Sequence, residues 1–240
     1  MLGEQAAIVT RSRIIDALCD IDVLIIVAGL GGGTGTGASV EIAKMASRLG
    51  ITIVTVLTTP FRFEGKHRAK TAHAGLQAIA ALTHAQIVVN LYKTLVGDTN
   101  RTIFVAFQRA DGILLHHIDG IIEMLCNPGQ RVLRVADVRN LQREASALTM
   151  RIGSAPGTEN LARAVQIAMA DTFVDFDAAQ VRQVMIHARV HANSTLVDVY
   201  NAVQHITAQL PWGTPIKWGC SDAPQSSDSV CVTVLWNYYP

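Results

Sequence analysis

The sequence predicts an α/β protein, with a parallel sheet covered by helices and then a smaller α+β domain. Two apolar runs rich in branched residues, Val23 to Ala28 and Ile51 to Leu57, are typical of buried parallel strands. Between them, apolar residues recur at helical spacing from Ala38 to Leu49, and the pattern stops at Gly50. These segments predict one strand, helix, strand unit.

The same alternation continues toward the middle of the chain. A helix is expected from about Gly65 to Leu82, a strand at Ile87 to Leu91, and a long helix with an apolar stripe from Thr102 to Leu125. An Asn-Pro-Gly sequence then breaks the helical pattern. We therefore place a first domain at residues 1–126, with its central helix at 102–125.

The remainder predicts a connecting segment and a smaller domain. Residues 127–153 are expected to form a loop and then a helix from Ala136 to near Gly153. Residues 154–240 are expected to form the α+β domain. Its predicted elements are helices at Thr158–Ala170 and Thr195–Gln209, with strands at Val181–Val190, Thr214–Cys220 and Ser229–Asn237.

Composition excludes several functional classes. The 240 residues carry a net charge of +1 without a basic run, so neither a nucleic-acid partner nor direct membrane insertion is expected. The four cysteines are widely separated and follow no signal-like segment, which predicts a reducing, cytoplasmic setting. His187 and His191 are four residues apart but fall at a predicted strand, so no metal site is expected.

A glycine-rich loop separates the first strand from its helix. Free backbone N–H groups and the positive end of a helix dipole bind anions there, and glycines let phosphate approach the backbone. The alternative is a closely packed turn without a ligand. The loop consists of Gly31, Gly32, Gly33, Thr34, Gly35, Thr36 and Gly37.

Two common nucleotide loops fit this segment poorly. No Lys-Ser or Lys-Thr follows the last glycine, so the segment is not a Walker A loop. Gly33, Gly35 and Ala38 do match the dinucleotide pattern GxGxxA, but the acidic residue expected at the end of the next strand is replaced by Thr58 and Thr59. A Rossmann-type oxidoreductase that binds NAD is therefore a distant alternative.

A second motif, TPFRFEGKHR from Thr59 to Arg68, follows the next strand. Together the two motifs resemble successive nucleotide loops of FtsZ, the bacterial homologue of tubulin. The resemblance continues through NPG, ADVR and RIGSAPGTENLARAVQIAM to the closing strands. It implies a tubulin/FtsZ-type, Rossmann-like sheet that is N-terminally incomplete, because family members begin with about three more strands and a first glycine loop that Met1 to Asp22 cannot supply.

The resemblance also implies a ligand, GTP or GDP with or without magnesium. Gly31 to Gly37 would hold phosphate, Glu64 would contact ribose, and Arg68 would contact ribose or phosphate. Asn90, at the end of its strand, falls where the family often places a polar nucleotide contact. For Glu64 and Arg68 the alternative is an exposed ion pair between residues four apart on a helix.

The resemblance also implies that residues of the long helix recognise the guanine base. Phe107 would stack on guanine, and the Asp111 carboxylate would accept from its N1–H and N2–H₂ groups. The four-residue spacing places both side chains on one helical face. The alternative is an ordinary core phenylalanine and a surface aspartate.

The segment of this chain that corresponds to the family's catalytic loop lacks most of the residues of the family's pattern. FtsZ hydrolyses GTP between subunits with a loop that reads NxDxxD. The three positions of that pattern are occupied here by Val132, Arg134 and Asp137, so only the last acidic residue of the pattern is retained. A cation cannot act as a base or hold water and magnesium as a carboxylate does. Hydrolysis is expected to be impaired, and whether the chain is an enzyme stays open.

We therefore expect an FtsZ-like guanine-nucleotide-binding protein of cell division or a related filament system, with weak nucleotide affinity. The alternative is a non-enzymatic partner or capping protein of FtsZ-type filaments. The expected partner is the chain itself or an FtsZ-type subunit. The apolar strand Val23 to Ala28 supports association, because it is expected at a sheet edge without charge or proline.

Overall fold

The computed structural model describes residues 2–91, 102–127, 129, 131–141, 147–156, 161–170, 177–191, 193–223 and 229–238. The chain divides into two compact units, Met1–Leu114 and Leu115–Pro240. The division falls inside the long helix, whereas the sequence-based division falls after Cys126. Each unit is described by itself below.

Helices and strands alternate in the first unit and are mixed in the second. Among the described residues the helices are α1 (Leu2–Val9), α2 (Arg11–Ala17), α3 (Gly33–Arg48), α4 (Lys66–Ala80), α5 (Ile103–Cys126), α6 (Val135–Leu141), α7 (Leu161–Ala170) and α8 (Leu196–Thr207). The strands are β1 (Val23–Gly29), β2 (Thr52–Thr59), β3 (Ala85–Asn90), β4 (Ala147–Pro156), β5 (Val181–Val190), β6 (Ile216–Asp222) and β7 (Ser229–Tyr238).

The sheet of the first unit is parallel, as predicted. Its order is β1-β2-β3, with Val23 opposite Thr52 and Val54 opposite Ala85. All but the last residue of β2 are buried, which explains its continuous run of apolar and threonine residues. Strand β1 lies at one edge of the described sheet, as predicted, and the side chain of Val27 is 44% exposed there.

Helices α2, α3 and α4 pack with this sheet around one hydrophobic core. Members of this core are Leu18, Ile26, Ala43, Ile53 and Ile79. Helix α3 begins earlier than predicted, at Gly33 instead of Ala38. Glycine disfavours helix, so apolar periodicity places the start too late. Packing allows the extra turn, because Gly35 lies directly against the backbone of Gly29.

The second unit has a four-stranded mixed sheet in the order β4-β7-β5-β6. Strand β7 is antiparallel to both neighbours, and β5 is parallel to β6. Apolar residues of α7 and α8 share a core with the sheet, which is the packing of an α+β domain. Members of this core are Val165, Val184, Ile206, Val232 and Trp236.

The predicted helix from Ala136 to Gly153 is wrong from residue 147 onward. Helix α6 ends at Leu141, and Ala147–Pro156 forms strand β4; residues 142–146 lie outside the described residues. The strand is buried on both faces, so its burial does not alternate and its apolar pattern is ambiguous. Gly153 allows the close approach of α7, since a Cβ there would lie 1.9 Å from the carbonyl oxygen of Ala164.

The second half of α5 lies on the sheet of the second unit. A Cβ at Gly120 would lie 2.6 Å from Ile152 and 2.8 Å from Met150, so the helix backbone approaches the strands closely. His117 Nε2 lies 3.3 Å from the carbonyl oxygen of Met150. Among the described residues, no helix combines the length and apolar character that a membrane crossing requires.

Candidate functional site

The glycine loop forms an open backbone surface where β1 ends. Gly31 has φ +102°, a left-handed conformation that favours glycine, and it turns the chain from the strand into α3. Gly32 caps the helix, and Gly33 and Thr34 in its first turn are exposed. A Cβ added at Gly32 or Gly33 would meet nothing within 4 Å, so an anion can approach the backbone N–H groups there.

Three of the seven predicted loop residues shape the loop from within. The Gly31 N–H donates to Thr36 Oγ1 at 2.9 Å, and the Thr36 side chain is 1% exposed. Gly31, Thr36 and Gly37 are all buried. The structure therefore leaves the part from Gly32 to Thr34 as the surface available to a ligand, Gly35 packs against Gly29, and Thr36 is an internal brace.

A residue that the sequence reasoning missed also defines the loop. A Cβ at Gly3 would lie 2.4 Å from the carbonyl oxygen of Gly33 and 2.6 Å from the Thr34 Cα. The first turn of α1 therefore packs directly on the first turn of α3, and two positive helix ends meet there. A glycine inside a helix was the available signal, since helices disfavour it without a packing reason.

Glu64 and Arg68 lie in the segment after β2. A short 3₁₀ turn, Arg62–Glu64, leads into α4. Glu64 Oε1 accepts from the Phe61 N–H at 2.7 Å, and Oε2 pairs with Arg68 at 2.8 Å. The side chain of Arg68 is 50% exposed and that of Glu64 is 16% exposed. The structure shows the ion pair that was the alternative interpretation, and the nucleotide contact stays a prediction.

The carboxyl ends of the three strands bring these segments to one edge of the sheet. In the parallel register Gly29 lies opposite Thr58, and Thr59 lies opposite Asn90. A Cβ at Gly31 would lie 3.1 Å from the carbonyl oxygen of Arg68, so the glycine loop touches the start of α4. This edge is where open α/β sheets bind their ligands.

Phe107 and Asp111 lie in the first half of α5. Phe107 is 43% exposed, Asp111 is exposed, and the two are one helical turn apart. The Phe107 ring meets the Phe61 ring edge to face, with centroids 5.3 Å apart. The structure therefore connects the predicted base-contacting helix to the segment that carries Glu64.

The segment from Val132 to Asp137, which corresponds to the catalytic loop of FtsZ, lies in the second unit. Asp137 Oδ2 accepts from the Arg134 N–H at 2.9 Å, and Oδ1 forms an ion pair with Lys217. Burial raises the pKa of Asp137, but the hydrogen bonds and charges of Lys217 and Arg134 outweigh this effect and keep the pKa below its ordinary value. Both carboxylate oxygens are thus engaged within the chain.

Residues before Asp137 hold the same loop against edge strand β6. Cys220 N–H donates to the carbonyl oxygen of Arg131 at 2.9 Å, and the Arg131 guanidinium lies 4.3 Å from the centre of the Trp218 ring. Leu133 is 3% exposed, whereas Val132 is 52% exposed and Arg134 is exposed. The substituted side chains therefore extend from an anchored backbone.

Metal ligands are sparse in the part of the chain that the structure describes. It contains no group of three histidine, cysteine or acidic side chains placed to hold a metal ion. His187 lies in β5, where burial and then the nearby Arg189 charge lower its pKa to about 4.

Known proteins of one family are similar to this chain. The model of the Tubulin/FtsZ family, GTPase domain, matches residues 1–93. Cell division protein FtsZ 1 of Pyrococcus horikoshii is 31% identical over 234 residues, which are 98% of this chain and 63% of that protein. FtsZ of Coxiella burnetii is 32% identical over 98% of this chain and 61% of its own length. Over nearly its whole length, the chain is similar to proteins of the FtsZ/tubulin family.

Solved structures agree with this similarity. An FtsZ dimer from M. jannaschii superimposes with a TM-score of 0.85 at 28% identity, covering 98% of this chain and 68% of its own. CetZ1 from Haloferax volcanii, described as a GDP-bound monomer, has a TM-score of 0.80 at 15% identity and supports the fold alone. The FtsZ-like chain spans somewhat less than two thirds of the sequence relatives, 63% and 61% of their lengths.

Proposed function

We propose that the chain is an FtsZ-like guanine-nucleotide-binding protein of cell division or a related filament system. The observation that carries this proposal is the open backbone surface at Gly32 and Gly33, at the carboxyl edge of a parallel sheet. It offers N–H groups and two helix ends to phosphate, and bound GTP or GDP would supply the phosphate anion.

The four cysteines are free thiols, which suits a cytoplasmic location.

Guanosine recognition is proposed for the neighbouring segments. The Arg68 guanidinium is half exposed and can turn to a phosphate or ribose oxygen while Glu64 remains held by the Phe61 N–H. Phe107 offers a partly exposed ring, and Asp111 offers a carboxylate acceptor one turn along α5. Asn90 is half-buried at the end of β3 and completes the proposed set.

Hydrolysis is proposed to be impaired. At the register of the catalytic loop, Arg134 is a cation and Val132 is apolar, so neither can accept a proton from water. The remaining acid, Asp137, is occupied by the Arg134 N–H and by Lys217. The geometry therefore supports nucleotide binding better than turnover.

A non-enzymatic filament partner is the second candidate, and the anchored loop favours it. Contacts of Arg131 and Leu133 with β6 fix the backbone, while Arg134 faces solvent. In a filament with a second copy or with an FtsZ-type subunit, this guanidinium would bind the neighbour's phosphate and slow hydrolysis at that junction. Such a chain would cap or pause a filament.

Calorimetry with GDP, GTP and ATP tests nucleotide binding. The chain should bind both guanine nucleotides in preference to ATP, and NADH should not bind. Gly33→Ala places a methyl group on the open backbone surface and should weaken GDP binding without harming the fold, since nothing lies within 4 Å of its Cβ. Gly112→Ala is the matched control, because its helical Cβ also meets nothing within 4 Å. Equal GDP affinity in both variants would contradict the proposed phosphate site.

A further inference from the structure

One buried ring joins three parts of the first unit near the proposed site. The Phe61 side chain is 2% exposed and packs against Leu91, which follows β3, and Ala110 of α5. Phe61 itself follows Pro60 at the end of β2. A single side chain therefore links the ends of two strands to the long helix.

The backbone of Phe61 also holds Glu64. Its N–H donates to Glu64 Oε1 at 2.7 Å, and its carbonyl oxygen accepts from the Glu64 N–H at 3.1 Å. These two bonds fix the carboxylate against the 3₁₀ turn and leave the other oxygen for Arg68. Because the buried ring anchors the backbone, the position of the Glu64 carboxylate depends on Phe61.

The ring of Phe61 restricts Phe107 in the same way. The two rings meet at 82° with centroids 5.3 Å apart, the edge-to-face arrangement that aromatic pairs prefer. Phe107 is 43% exposed, and its helical neighbour Phe104 is 69% exposed. A partly exposed ring samples several rotamers unless a neighbour holds it, so Phe61 selects the orientation of Phe107.

We propose that Phe61 is the positioning residue of the guanosine half of the site. It orients the Phe107 ring and the Glu64 carboxylate from a buried position, without itself touching the nucleotide. This inference rests on the proposed nucleotide binding. The first turn of α3 packs on Gly29, and the Gly31 N–H donates to Thr36. Neither contact involves the Phe61 ring, so its loss should weaken nucleoside recognition more than phosphate binding.

The experiment compares GDP with inorganic pyrophosphate, which carries the phosphates without the nucleoside. In Phe61→Leu, GDP affinity should fall by about tenfold, the upper value expected for a lost aromatic pair, while pyrophosphate affinity stays within about twofold. Phe63→Leu is the matched control. The Phe63 ring stacks on Phe61 with centroids 5.1 Å apart but is 65% exposed, so its loss should change GDP affinity little.

Two further variants sharpen the test. Phe61→Met replaces the ring by a flexible side chain that adapts to irregular gaps, and it should show the same selective loss if the leucine variant fails to fold. Combined with Phe107→Leu, the Phe61→Leu change should be less than additive for GDP, because both act on one ring contact.

Several outcomes would overturn the inference. Parallel loss of GDP and pyrophosphate affinity would indicate general structural damage, unchanged GDP affinity would remove the positioning role, and full additivity would separate Phe61 from Phe107. An unmodified chain that binds neither GDP nor pyrophosphate would instead refute the proposed function and this inference with it.

Discussion

The glycine loop of the first unit and the anchored loop of the second unit differ in which atoms carry their chemistry. At Gly32 and Gly33 the ligand surface is backbone, so its capacity depends on the absence of side chains there. From Val132 to Asp137 the backbone is held by β6, and any chemistry depends on side chains that differ from the FtsZ pattern. Nucleotide binding and nucleotide hydrolysis therefore need not be present together in one chain.

The largest expected effect concerns hydrolysis. Phosphate release from GTP by this chain should be about 10²- to 10⁴-fold slower than by a full-length FtsZ, the range that a general base typically contributes. Added to that FtsZ, the chain should inhibit release, and Arg134→Ala and Arg134→Asp should relieve the inhibition. Rapid GTP hydrolysis by the unmodified chain would contradict the proposal that the first loop binds nucleotide while the 132–137 loop does not support hydrolysis.

A second prediction tests the packing of the glycine loop. A Cβ at Gly35 would lie 2.0 Å from the Gly29 carbonyl oxygen, and backbone atoms there cannot move aside easily. Gly35→Ala should therefore lower the free energy of unfolding by about 3 kcal/mol, the upper end of the usual cost of overpacking. Urea unfolding followed by circular dichroism measures it, with Gly33→Ala as the tolerated control. If both variants were equally stable, the loop would be less tightly packed than described.

A third prediction concerns acid sensitivity of the second unit. Because the pKa of His187 is lowered from 6.5 to about 4, the unfolded chain binds a proton between these values that the folded chain does not. Stability should be complete above pH 6.5 and should fall by about 3 kcal/mol as the pH drops toward 4, with no further loss from this group below that.

Tryptophan fluorescence measures this effect selectively, since Trp212, Trp218 and Trp236 all lie in the second unit. Urea unfolding at pH 7, 5.5 and 4.5 should show the decline, and His187→Gln should flatten it. A pH slope that survives in His187→Gln would assign the sensitivity to another group.

The smallest expected effect concerns the anchor of the 131–137 loop. Arg131→Lys keeps the charge but loses the planar contact with Trp218 and the 3.0 Å Nε bond to the Trp218 carbonyl oxygen. The free energy of unfolding should fall by about 1 kcal/mol, together with a change in Trp218 emission. Identical curves for Arg131→Lys and the unmodified chain would mean that Leu133 and the backbone suffice as the anchor.

Local patterns predicted the elements whose physics is local. The strand Val181–Val190 has the predicted bounds, and the parallel pairing of β1 with β2 follows from two apolar runs around a helix. Strand β4 was missed because α7 and α5 cover its two faces, which removes the alternation that identifies a half-buried strand. The early start of α3 was missed because a glycine-rich segment does not predict a helix, and tertiary contacts allow the first turn to form there.

The sequence by itself determined the parallel α/β class and the residue types available for binding, because these follow from order and periodicity along the chain, and its motifs carried the resemblance to FtsZ. Only the tertiary structure decided how those residues are used. It turned Thr36 inward as a brace, paired Glu64 with Arg68, occupied Asp137 with Lys217, and brought Gly3 and Phe61 to the proposed site. The reason is physical: a side chain has several possible partners, some near in sequence and some distant, and packing settles which of them it takes.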